Sequence, residues 1–260
     1  MHHTERWITI DNDHIHYQLI GNFSSEQPFI LFLHEGLGSI PQWKGFPGLL
    51  CESTSLPGLV YERPGYGRST PATSTRADDF LKREGEELLP KLLQKLNLRG
   101  NHVVFGHSDG GTIALYYASK NPEALKLAVV EAPHVYLEEL SRKAIYRTQQ
   151  AFMNGRLKEA LDKYHAPHTT NMVMSWTRYW LHPDNKGWNM FEELTSIAKP
   201  VVFIQGDNDT FGTREQARII ERSIQGPFSK LFLQKCGHVP HHEKQEELLG
   251  YLPPVIHKHL

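Results

Sequence analysis

Cysteine is nearly absent: 260 residues hold two, Cys51 and Cys236, far apart and in no C-x-x-C pair. A disulfide framework is therefore excluded as the basis of the fold, and a reducing, cytoplasmic setting is expected. Neither sign of charge dominates, with 28 Lys and Arg against 29 Asp and Glu. A nucleic-acid binder usually carries a clear basic surplus, so no nucleic-acid partner is expected. No apolar run approaches the ~20 residues of a membrane span. The polar start, Met1 to Arg6, leads into no signal-peptide core, so no membrane partner is expected either. Histidine is plentiful, at 16, but there is no H-E-x-x-H helix and no clustered Cys/His set. Neither a metal site nor any other cofactor is expected.

The chain does contain strands and helices in alternation. A length of 260 residues suits one large α/β domain, or a core with a small insertion. Arg6–Asp11 and His14–Ile20 read as strands around a turn at Asn12-Asp13. Phe29–Leu33 is continuously apolar, as a strand buried on both faces should be. Leu59–Tyr61, His102–Phe105, Leu125–Glu131, Val201–Gln205 and Lys230–Leu233 complete about eight strands. Helices are expected over Arg76–Leu96, Thr112–Ser119, Arg214–Ser223 and Glu243–Leu249. From Pro133 to Ala198 only helical spacing is found. The expected organisation is thus a core over 1–132, a helical insertion over 133–198 and a second core part over 199–260. This alternation implies right-handed crossovers and a largely parallel sheet, with ligands bound beyond the carboxyl ends of the strands.

The loops at those ends carry chemistry. After His102–Phe105 comes Gly106-His107-Ser108-Asp109-Gly110, a G-x-S-x-G between strand and helix. Its glycines permit the strained turn that lifts a nucleophilic serine above the sheet. After Phe29–Leu33 comes His34-Glu35-Gly36-Leu37-Gly38-Ser39, whose backbone can supply an oxyanion donor beside the N–H of Asp109. After Val201–Gln205 stand two acids, Asp207 and Asp209, and after Lys230–Leu233 comes Gly237-His238. Serine, acid and histidine in that chain order, each after its own strand, is the order found in α/β-hydrolases.

With these motifs the sequence resembles the α/β-hydrolase superfamily over nearly its whole length. Glu62-Arg63-Pro64-Gly65-Tyr66-Gly67-Arg68-Ser69 is similar to the family's D-x-x-G-x-G-x-S stretch, with Glu62 in place of Asp. In particular the chain resembles small capped bacterial-type hydrolases whose oxyanion loop reads H-E-G-L-G-S. The resemblance implies an eight-stranded, mostly parallel sheet flanked by helices, with a helical cap between strands 6 and 7. It implies a triad of Ser108, Asp209 and His238, favouring Asp209 over Asp207 through the G-x-x-D match. It puts the second oxyanion donor on Gly36, with Glu35 and Leu37 as alternatives. Serine at the elbow disfavours haloalkane dehalogenase and epoxide hydrolase chemistry, which use Asp there.

The implied function is cofactor-independent hydrolysis of a small ester, thioester or related acyl substrate by a monomer or homodimer. A carbon–carbon bond hydrolase with the same triad, and a slow-turnover receptor on this fold, are the alternatives. The expected substrate-binding set is His34, Glu35, Leu37 and His107 with Trp176 and Trp180 of the cap. Trp176, Tyr179 and Trp180 share one helical face, which packs the cap or roofs the pocket. Glu35 is expected to turn away from the oxyanion, neutralised by Arg63 or by backbone N–H groups.

Overall fold

The computed structural model describes residues 1–71, 77 and 79–260. Among them eight strands form one sheet: β1 (His3–Ile10), β2 (Asp13–Ile20), β3 (Phe29–Leu33), β4 (Gly58–Tyr61), β5 (His102–His107), β6 (Leu125–Glu131), β7 (Val201–Gly206) and β8 (Phe228–Leu233). Their spatial order is β1-β2-β4-β3-β5-β6-β7-β8. β2 runs antiparallel to both its neighbours and every other pairing is parallel. The winding reverses at β3, which lies between β4 and β5, so the crevice for a ligand opens above β3 and β5.

The continuous apolar runs are buried on both faces. In β3, Phe29, Leu31 and Leu33 join one core while Ile30 and Phe32 join the other. The helices are α1 (Phe46–Thr54), α2 (Phe80–Arg83), α3 (Leu89–Lys95), α4 (Asp109–Ser119), α5 (Glu139–Met153), α6 (Arg156–His165), α7 (Thr169–Leu181), α8 (Phe191–Leu194), α9 (Glu215–Ser223), α10 (Pro240–Glu243) and α11 (Gln245–His259), of which α5, α6 and α7 pack on one another. Between β6 and β7 the chain is thus helical, apart from one isolated bridge of Tyr136 with Asn189. No helix of the described residues is long and apolar enough to cross a membrane.

Two expectations need correction, and one helix went unread. The helix expected from Arg76 is helical from Phe80, with a π-turn at Glu84–Leu88 between α2 and α3; Arg76 itself lies outside the described residues. Pro90 lacks the N–H that a regular α ladder would use, so the ladder changes register there. The helix α1 gave no periodic signal because Pro47 and Gly48 stand at its start, where proline is tolerated. The last helix runs ten residues past Leu249, through Pro253 and Pro254 to His259. Its buried stripe of Leu248, Leu252 and Ile256 packs on the sheet and outweighs the proline penalty.

Candidate active site

Ser108 ends β5 and caps α4 with φ 53° and ψ −118°, a backbone that a non-glycine residue rarely adopts. The flanking glycines hold it there. A Cβ on Gly106 would overlap the Gly110 carbonyl, and one on Gly110 would overlap that of Leu33. Ser108 Oγ lies 3.1 Å from His238 Nε2. His238 Nδ1 lies 2.9 and 3.0 Å from the two oxygens of Asp209. Facing a carboxylate, Nδ1 carries the proton, which leaves the Nε2 lone pair to the serine hydroxyl. Asp209 is held in turn by the Phe211 N–H at 2.8 Å and the Gln205 amide at 3.1 Å. Burial alone would raise its pKa, but His238 and these donors bring it to about 2. Asp207 is exposed and accepts from the Cys236 N–H at 3.4 Å, whereas the acid on His238 Nδ1 is Asp209.

Asp109 is the first residue of α4, where a helix's own ladder offers no acceptor to the N–H. Its carboxylate accepts the Trp176 indole N–H at 2.8 Å, which ties α7 to the turn at Ser108. Gly36 sits in this junction: a Cβ there would overlap the Trp176 indole and crowd the Asp109 carboxylate. The loop after β3, the turn at Ser108 and α7 therefore converge on Gly36.

Glu35 is partly exposed, at 29% of its side chain, and is neutralised by His107 Nδ1 at 3.0 Å. Arg63 or backbone N–H groups were the expected partners, but the Arg63 guanidinium donates to the Glu35 carbonyl oxygen and the carboxylate pairs with His107. Burial opposes both charges, yet their hydrogen bond outweighs it, placing Glu35 near 2 and His107 near 9. His107 Nε2 donates to the His238 carbonyl at 2.8 Å, so this imidazolium links the loop after β3 to the His238 loop.

A cavity of about 260 Å³ opens over Ser108 and His238. Glu35, Leu37, Trp176 and Trp180 line it, whereas His34 and His107 do not. His34 is turned into the core, accepting the Arg63 N–H at Nε2 and donating from Nδ1 to the Glu35 carbonyl, so it is a support for the loop. His107 is a support likewise, its two nitrogens committed as described. Trp176 and Trp180 do both tasks weighed for them, since they line the cavity and belong to the main core. Tyr179 packs edge-on against Phe80 and does not reach the cavity.

His107, Glu131 and His241 are buried with ligand-type atoms within 4.8 Å of one another. Glu131 is hydrogen-bonded to His241 Nδ1 at 2.9 Å and to its N–H at 2.7 Å, and His107 is spoken for. The donor set is therefore consumed by a hydrogen-bonded network under the elbow.

Sequence reasoning missed His134 and Phe211. Both line the cavity, and the Phe211 ring lies 4.5 Å from that of His238. His134 stands three residues beyond β6, at the carboxyl end of a central strand, so the placement rule applied to the other loops marks it too.

A family model described as alpha/beta hydrolase fold matches residues 28–189. A proline iminopeptidase of Heyndrickxia coagulans is 29% identical over 134 residues, 50% of this chain, and the chain spans 43% of that relative's length. A second proline iminopeptidase, from Saccharolobus solfataricus, is 22% identical over 236 residues, or 76% of this chain and 75% of that protein. The chain is also similar in fold to the carboxylesterase CesB (YbfK) from Bacillus subtilis, with TM-score 0.71 at 17% identity over 100% of this chain and 92% of that one.

Proposed function

The chain belongs to the α/β-hydrolase fold family, and from that membership we propose that it is a serine hydrolase acting on a small ester, thioester or related acyl substrate. One observation carries the reading: the unbroken relay of Ser108 Oγ, His238 and Asp209 at 2.9 to 3.1 Å. In the proposed cycle His238 Nε2 takes the Ser108 proton as Oγ attacks the substrate carbonyl. The backbone N–H groups of Asp109 and Gly36 receive the oxyanion. Trp176 holds the Asp109 carboxylate aside, so its charge does not oppose the one that develops. Asp209 fixes the tautomer of His238 and stabilises its charged form, and His238 then protonates the leaving group. Water, activated by the same imidazole, cleaves the acyl-enzyme and restores Ser108.

A cavity of about 260 Å³ walled by Leu37, Leu137, Ile145, Trp176 and Trp180 suits a short acyl or aryl group. Fluorophosphonate labelling of the wild type, with turnover of p-nitrophenyl acetate to hexanoate, tests the reading. Ser108→Ala should abolish labelling and lower turnover by several orders of magnitude; a variant that keeps normal turnover overturns the mechanism. Labelling without turnover would favour a receptor.

The Glu35 carboxylate in the cavity wall favours a second reading, release of an N-terminal residue whose amine docks there, as the names of the two relatives suggest. Its pairing with His107 offsets that charge and ranks ester cleavage first. Faster turnover of prolyl p-nitroanilide than of any ester would reverse the ranking.

A further inference from the structure

His134 has no part in the relay, yet it is built into the cavity wall. Its backbone is clamped by Thr112, one turn beyond Ser108 on α4: the His134 N–H donates to Thr112 Oγ1 at 3.1 Å, and that hydroxyl donates to the His134 carbonyl at 2.7 Å. The ring lies nearly parallel to that of His238, 6.2 Å away at 23°, and meets Trp180 at 6.4 Å and 62°. His134 is 6% exposed and Trp180 1%. Among the described residues neither His134 Nδ1 nor Trp180 Nε1 has a hydrogen-bond partner. Both of those atoms are closed to solvent, so the polar atom that His134 offers to the cavity it lines is its other ring nitrogen, Nε2, which among the described residues takes part in no hydrogen bond; a polar atom so placed in a ligand cavity marks a position where the ligand supplies the partner.

The chemistry of that wall narrows the ligand. Burial, together with the charge of His238, lowers the pKa of His134 to about 4, so at neutral pH it is an uncharged imidazole with one donor and one acceptor nitrogen. Trp180 is a donor only. Neither offers a positive charge to a carboxylate or phosphate, and Glu35 and Asp209 stand nearby as anions. What remains is an uncharged polar group, and in an acyl compound that is most simply a hydroxyl or oxo oxygen.

We propose that His134 is a substrate-recognition residue, binding a hydroxyl or oxo oxygen that the substrate carries on the group lying in the cavity. The substrate is then an oxygenated acyl compound and not a plain aliphatic ester. The inference rests on the hydrolase reading only in taking the cavity over Ser108 as the substrate site.

The test is made in Ser108→Ala protein, where binding is read without turnover. Benzyl butyrate, benzyl 2-hydroxybutyrate, benzyl 3-hydroxybutyrate and benzyl 3-oxobutyrate are titrated by ligand-observed NMR. At least one oxygenated ester should bind about tenfold or more tightly than the butyrate, because sites built for a hydrogen bond reject analogues lacking it. In Ser108→Ala/His134→Phe that ratio should fall to about one. Independently of any His134 variant, the His134 ring nitrogen resonances should shift with the preferred ester and stay put with butyrate. Equal affinity for all four esters, no measurable binding of any, or a ratio unchanged by His134→Phe overturns the proposal. Failure of the hydrolase reading would be seen elsewhere, as wild-type Ser108 resisting fluorophosphonate.

Discussion

Glu35→Gln tests whether the Glu35–His107 pair braces the active-site loops. The variant keeps the side-chain shape and removes the charge that holds His107 near 9. Breaking a fully buried pair by removing one partner costs about 3–5 kcal/mol, and the partial exposure of Glu35 reduces this to about 2 kcal/mol. For a chain of this length the melting temperature should fall by about 4–8 °C. The pH dependence gives a sharper signature. The Glu35 contribution is complete above its ordinary 4.5 and is lost as pH falls through about 2. That of His107 is complete below its ordinary 6.5 and is lost as pH rises through about 9. The gap between wild type and variant should therefore be widest between 4.5 and 6.5 and close as pH passes about 9. A neutral His107 still donates to the His238 carbonyl, so kcat/KM should fall by about tenfold or less, or roughly 1.4 kcal/mol. Calorimetric melting of both proteins across this range checks it. A gap that is the same at every pH, or absent near the lower end, refutes the reasoning.

The relay and the cap yield further expectations. Ser108→Ala should lower kcat by several orders of magnitude with the melting temperature unchanged, leaving roughly 10³-fold catalysis over water from binding and the oxyanion donors. Asp209→Asn should lower kcat by about 10⁴ through the wrong imidazole tautomer, while exposed Asp207→Asn should cost far less; stopped-flow turnover of one ester ranks them, and the reverse order reassigns the acid. Trp180→Ala should cost about 3–5 kcal/mol of stability by denaturant melts, because the ring is core as well as wall. Trp176→Phe trims a core ring and removes the indole N–H from the buried Asp109 carboxylate, so kcat should fall and stability should drop by about 1–3 kcal/mol; an unchanged kcat would show that Asp109 needs no tether. His165 of α6 accepts the Gly67 N–H at 3.0 Å and donates to the Leu37 carbonyl at 3.0 Å. His165→Phe should therefore cost about 1–3 kcal/mol and hasten proteolysis within the helices between β6 and β7.

Strand positions could be read along the chain because each is set by its own residues. Phe29–Leu33 is apolar throughout because both faces of a central strand are covered, and Gly106 to Gly110 is fixed by overlaps within a few residues and with the neighbouring strand. The helices α1 and α11 were hidden or cut short because local proline signals oppose a burial that only the sheet provides. The partners of the charged groups were hidden for a related reason. Glu35 meets His107 from the next strand but one in sequence, and not Arg63, because the oxyanion loop turns its carboxylate toward β5 and its carbonyl toward Arg63. Charge counting cannot tell which end of a residue faces which neighbour. His134 marks the opposite case. Its position after a central strand was readable, but its value lies in bonds that its ring does not make, and an unmade bond leaves no pattern in a sequence. Residues that serve the fold are thus found by periodicity and by steric necessity. Those that serve a ligand show themselves once the fold has shown which polar atoms it leaves unsatisfied, and in this cavity that test points to His134.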